Sequence, residues 1–211
     1  YMNTNIRFCF LAFACLAVLA SCAPQEKGRI LAPAFTRSAD QCILDLASEG
    51  IAFTVIPEDV EDYCVVQNQL VLDGSYVAYT GTGQVKGQCE MISALTKWER
   101  TVLQPSALKI FGSPVVKVHE LSNFSCRRIA RTEFRSQHSH GNAIDISGFT
   151  LENGRYIDLE DDWGTGTDAD RFLHALQRGA CGIFSTVLSP DYNWDHRNHF
   201  HFDVGAYLSC N

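Results

Sequence analysis

Apolar positions along the chain follow two rhythms, one near four residues and one of two, and their alternation predicts the elements. Ser38 or Asp40 can cap a helix running through Leu46, which Gly50 stops. Ile51 to Ile56 alternate as a strand, and Gln67 to Asp73 as another. Met91, Ile92, Leu95, Trp98 and Val102 mark one face of a longer helix. Pro114 to Leu121 reads as a strand, and Ala143 to Phe149 as a buried one. Glu152-Asn153-Gly154-Arg155 then gives a hairpin turn signal. Asp168 can cap a helix through Leu176, Ser185 to Arg197 is loop-like, and His199 to Val204 is a strand. Without a βαβ rhythm, this mixture predicts an α+β fold: a single domain with a central antiparallel sheet and flanking helices.

One apolar stretch lies outside that scheme. Phe8 to Leu19 follows Arg7 and ends in Leu19-Ala20-Ser21-Cys22. At about a dozen residues it is shorter than the roughly 20 needed to span a bilayer, and it has the form of a secretory leader. Leu-Ala-Ser-Cys resembles the bacterial lipobox, which would make Cys22 the lipidated first residue of the mature protein. Residues 1–21 are thus expected to be a lipoprotein signal, 22–37 a tether, and 38–211 the folded domain. Ala23 after the cysteine favours the outer membrane, with the domain on the periplasmic face.

Composition narrows the classes. Hydrophobic residues make up 46% and charged residues 19%, which excludes a disordered chain. A formal net charge of −7 argues against nucleic acid as a partner. Of nine cysteines, Cys9 and Cys15 fall in the leader and Cys22 at the lipid site. Cys42, Cys64, Cys89, Cys126, Cys181 and Cys210 remain, an even set that in an exported domain predicts three disulfides. Local pairing, as Cys42–Cys64, Cys89–Cys126 and Cys181–Cys210, would close loops of roughly 20 to 40 residues, each contributing about 2–4 kcal/mol.

The chemistry concentrates in two blocks, Ser136-Gln-His-Ser-His-Gly-Asn-Ala-Ile-Asp145 and His196-Arg-Asn-His-Phe-His201. Imidazole and carboxylate are zinc ligands, and a catalytic zinc takes three from the protein, leaving one position for water. Residues two apart on a strand share a face, so His199 and His201 can converge.

Ser136, His138, Gly141, Ala143 and Asp145, followed by His199-x-His201, resemble the signature of the zinc peptidase superfamily that contains D-Ala-D-Ala peptidases, lysostaphin-type enzymes and the hedgehog signalling domain. More closely, the chain resembles the bacterial extensin-like C-terminal family. The marks are Ser125-Cys-Arg127, Gly141-Asn-Ala-Ile-Asp-Ile146, Ala180-Cys-Gly-Ile-Phe-Ser-Thr-Val-Leu188 and His199-Phe-His-Phe-Asp203. The resemblance spans about Cys42 to Cys210. It implies a hedgehog- or DD-peptidase-like fold, with His138, Asp145 and His201 as ligands of Zn2+. It makes His199 the general base or the residue that orients water, and His196 a second active-site imidazole. Arg127 becomes the support for a developing oxyanion, with Arg128 and Arg135 as contestants. Ser136 is expected to tune the site from behind, and Asp203 to orient a ligand imidazole.

Blander roles fit other residues. His119, His140 and His174 read as core or surface imidazoles, and Trp98 as core, while Trp163 and Trp194 could line a groove. No Gly-x-Ser-x-Gly elbow marks a serine hydrolase, and no Cys-x-x-Cys pair marks a zinc ribbon. The leading expectation is an envelope zinc peptidase, endopeptidase or carboxypeptidase, cutting D-amino-acid-containing cross-links of peptidoglycan. Its partners would be that polymer, the membrane through the lipid anchor alone, and an envelope activator protein. The competing readings are a zinc-containing wall-binding or structural module without turnover, and a zinc amidase or endolysin-like lytic enzyme cutting another wall bond. Retention of His196 and His199 beyond three ligands favours activity.

Overall fold

The computed structural model describes residues 39–81 and 83–211. The leader, Cys22, the tether and the Ser38 cap lie outside them. Helix α1 (Ala39–Ser48) buries Cys42 and Leu46 on one face, and Gly50, at φ 76°, turns the chain out of it. Strands β1 (Ala52–Glu61) and β2 (Cys64–Gly74) form a long antiparallel hairpin, both longer than their alternation predicts. Two short strands that lack a sequence signal follow, β3 (Ala78–Thr80) and β4 (Lys86–Gly87). The predicted long helix is α2 (Cys89–Trp98), a π-helical turn at Glu99–Leu103, and α3 (Gln104–Phe111) in unbroken succession.

Next come β5 (Val115–Ser122), a 3-10 turn at Gln137–His140, β6 (Ala143–Leu151), β7 (Tyr156–Asp158), and helices α4 (Leu159–Asp162) and α5 (Asp168–Ala180). Thr167, rather than Asp168, caps α5: its side chain accepts from the Asp170 amide. The segment expected to be loop contains β8 (Thr186–Leu188) and a 3-10 turn at Trp194–His196 before β9 (Phe200–Asp203) and β10 (Ser209–Cys210).

A small sheet has the order β1-β2-β4, and a larger one the order β10-β8-β9-β6-β5-β3, with β7 also paired to β6. The centre of the larger sheet is antiparallel as expected. Its edges are not: β3 runs parallel to β5 and β10 parallel to β8. Between β3 and β5 the chain crosses over through α2 and α3, the length of connection that parallel pairing needs.

Ile144 and Ile146 on β6, with Phe200 and Phe202 on β9, are buried on one face of the sheet. Trp98 meets Phe202 edge-on at 5.4 Å, and Phe149 meets Phe172 at 5.6 Å. Each such side chain contributes about 1.5–3 kcal/mol by burial. Gly179 brings α5 close to the π-helical turn, for a Cβ there would lie 2.4 Å from Val102 Cγ1. On a pleated strand the residues between these apolar ones face the opposite way, which places Asp145 and His201 directly across from each other. The 3-10 turn that carries His138 touches both β6 and β2, so the small sheet backs the site.

The disulfides are Cys42–Cys89, Cys64–Cys126 and Cys181–Cys210. The expected Cys42–Cys64 and Cys89–Cys126 pairs are therefore corrected, and Cys181–Cys210 stands. Strand length is the reason. Ten residues of β1, at about 3.3 Å each, carry Cys64 to the far end of the hairpin. Strand β2 then brings the chain back, so that Cys89, at the start of α2, meets α1.

Candidate metal centre

Four local structures deliver the site residues. The Ser136 hydroxyl accepts from the His138 amide and caps the 3-10 turn. Gly141, at φ 65°, closes that turn and returns the chain into β6; a Cβ there would lie 2.9 Å from the Gln69 side chain. Asp145 is in mid-β6, His201 is opposite on β9, and His199 stands one residue before β9.

The side chains converge. His138 Nε2, Asp145 Oδ1 and His201 Nδ1 are separated by 3.2, 2.9 and 3.3 Å. All three residues offer ligand atoms within 4.8 Å of one another, an arrangement that could hold a metal ion. The outward nitrogens are already engaged: His138 Nδ1 donates to the Asn123 carbonyl at 2.6 Å, and His201 Nε2 to Asp203 Oδ2 at 3.1 Å. Arg127 donates to Asp145 Oδ2 at 2.9 Å, the carboxylate oxygen that the imidazoles leave free.

His199 Nε2 lies 3.9 Å from Asp145 Oδ1, and its Nδ1 is 2.9 Å from Asn198 Oδ1. His196 lies beside it, tilted, with ring centroids 5.1 Å apart, and is 6.1 Å from His201. Arg128 and Arg135 point elsewhere, the first paired with Glu133 and the second over the Tyr63 ring. The three imidazoles set aside by the sequence stay apart. His140 is exposed, His119 lies between the Thr80 and Thr150 hydroxyls, and His174 pairs with Asp170. Trp194 is exposed beside His196. Trp163 does not join it: it packs against His174, tilted with ring centroids 4.0 Å apart, and edge-on against Phe200.

Electrostatics separates the imidazoles. Burial would raise the Asp145 carboxyl, but hydrogen bonds and charge from His138 and His201 hold it well below its ordinary range. For His201, burial disfavours the cation, yet Asp145 and Asp203 together push it up to about 9. His196 is lowered to about 4 by burial, then by its His199 and His201 neighbours. His199 is lowered by burial, with Asp145 opposing. The pair flanking the cluster is therefore neutral at pH 7, in the form that accepts protons.

A family model described as "Extensin-like protein C-terminus" matches residues 40–211. The chain belongs to that family. No curated protein and no solved structure matches it. Every element that builds the cluster of this extensin-like domain, from the Cys126 loop to β9, lies inside the matched span. Sequence reasoning missed three residues here: Glu120, Ser122 and Asn123. Asn123 lies two residues before the Ser125-Cys126-Arg127 mark, and nothing in its residue type distinguishes it.

Proposed function

We propose that this extensin-like domain is a zinc peptidase of the bacterial envelope that hydrolyses D-amino-acid-containing peptide bonds in peptidoglycan. The carrying observation is the convergence of two imidazole nitrogens and one carboxylate oxygen, with both outward imidazole nitrogens held by protein acceptors. That donor set fits zinc and matches three-ligand catalytic sites. His138, Asp145 and His201 would hold the ion. Zinc bound there would supply a Lewis acid that makes water a nucleophile at neutral pH and polarises a carbonyl. His199, neutral and beside Asp145, accepts the proton from water and returns it to the leaving amine. His196 is the second imidazole within reach. A guanidinium has five N–H donors, so Arg127 can hold Asp145 and still turn donors toward a developing oxyanion.

A motif resemblance to the zinc peptidase superfamily supports the same chemistry, through Ser136, His138, Gly141, Ala143, Asp145 and His201 in that superfamily's order. Export as a lipoprotein through Cys22 would hold the domain beside its polymer. Among the described residues no helix is long and apolar enough to cross a membrane.

The test is mass spectrometry of muropeptides after the purified, disulfide-intact protein digests cross-linked peptidoglycan, with zinc and with a chelator. Zinc-dependent loss of cross-linked dimers is expected. Intact dimers, from protein carrying stoichiometric zinc, would turn the reading to a wall-binding module. His199→Ala is expected to keep its zinc and lose turnover by about 10²–10⁴-fold.

A further inference from the structure

Behind His138, strand β5 is built against the usual preference. Glu120 is 2% exposed while Leu121 beside it is 45% exposed. A buried carboxylate is costly unless it is paired, whereas a single exposed leucine is ordinary, so Glu120 is the informative residue. Register shifts flank Glu120 in its pairing with β6, and such bulges re-aim side chains next to functional sites. The result sets Ser122 opposite Asp145 and turns Glu120 inward onto Asn123.

Asn123 is 5% exposed. Its Nδ2 donates to both Glu120 carboxylate oxygens, at 3.1 and 3.2 Å, and to the Gln84 carbonyl at 3.4 Å. Its Oδ1 accepts from the Phe124 amide at 2.7 Å and the Lys86 amide at 3.3 Å. A side chain tied to so many groups fixes the peptide that carries it, and that peptide's carbonyl meets His138 Nδ1 at 2.6 Å. A carbonyl only accepts, so Nδ1 must carry the proton. In a neutral imidazole, Nε2 is then bare.

We infer that Asn123, clamped by Glu120, is a positioning residue for the candidate metal centre: it fixes Nδ1 of His138 as the permanent donor, so that Nε2, which faces Asp145 and His201, is the nitrogen left bare when the ring is neutral. This rests on the zinc reading for its purpose, though not for its geometry. Ser122 Oγ, 3.4 Å from the same Nδ1, sits at the edge of the arrangement.

Two readouts on the full, disulfide-intact chain test it: zinc titrated into metal-free protein, and solvent exchange of the His138 Nδ1–H followed by 1H–15N NMR. Wild type should show a protected Nδ1–H. Asn123→Ala should bind zinc about 10–100-fold more weakly and exchange that proton faster. Asn123→Asp keeps the acceptor for the Phe124 and Lys86 amides, so it serves where the alanine variant does not fold; unable to donate to Glu120, it should shift the same way. Glu120→Gln, which still offers Asn123 an acceptor, should stay close to wild type. Unchanged zinc affinity and an unchanged protected proton in a folded Asn123 variant would overturn the inference. Failure of wild type to bind zinc would instead remove the metal reading, while the exchange measurement still decides the clamp.

Discussion

Asp145 and Glu99 are both buried carboxylates, 5% and 0% exposed, and their surroundings drive them to opposite states. Glu99, in the π-helical turn, accepts from Tyr79 Oη at 2.5 Å, Ser75 Oγ at 3.2 Å and the Tyr76 amide at 3.2 Å. All three are neutral donors, and burial outweighs them, lifting Glu99 to about 7. Asp145 meets His138, His201 and Arg127 instead, and is held well below the ordinary range although burial acts on it in the same direction. Burial alone therefore does not mark a functional carboxylate. Cationic and imidazole partners keep Asp145 anionic, whereas hydroxyl and amide partners make Glu99 an architectural acid tying the β3 region to the helical layer.

The largest expected effect comes from breaking the first member. His201→Ala should abolish zinc binding, measured by elemental analysis after dialysis, because it removes one proposed ligand and Asp145's partner together. Stoichiometric zinc in that variant would remove the ligand assignment.

Glu99 gives the next effect, through pH. Its folded pKa of about 7 exceeds the ordinary 4.5, so between those values the folded state binds more protons than the unfolded one. Stability should fall as pH rises through that window and level off above it, by about 3 kcal/mol at most. Glu99→Gln should flatten this dependence in urea unfolding at pH 5 and pH 8. An equally steep dependence in the variant would show that other groups carry it.

A smaller effect sharpens the contrast. Tyr79→Phe removes one neutral donor from Glu99 and should cost about 1–3 kcal/mol, leaving zinc affinity untouched because among the described residues the two carboxylates have no hydrogen-bond partner in common. Smallest of all, Arg131→Ala breaks the exposed pair with Asp195 and should change stability by less than about 1 kcal/mol in thermal unfolding.

Much of this was legible beforehand where local rules act. Gly50 ended α1 and the Glu152–Arg155 turn joined β6 to β7; strand alternation predicts that His199 and His201 converge, whereas Asp145 meets His201 because β6 pairs with β9. What depends on distance through space was not legible. The length of β1 decided which cysteines meet, and no local pattern reports it. Strand β8 is three residues long and exists because β9 and β10 flank it. Glu120 lies inside the predicted Pro114–Leu121 strand with nothing in the sequence to single it out, since a bulge is a property of the pairing and not of the residue.

The most direct test of the central claim is zinc K-edge X-ray absorption on the zinc-loaded wild-type protein. The account predicts a first shell containing two imidazole nitrogens and a carboxylate oxygen, with distances near the roughly 2.0–2.2 Å usual for such ligands, and the loss of one imidazole in any residual zinc bound by His138→Ala. A shell with sulfur, or one without imidazole, would contradict it.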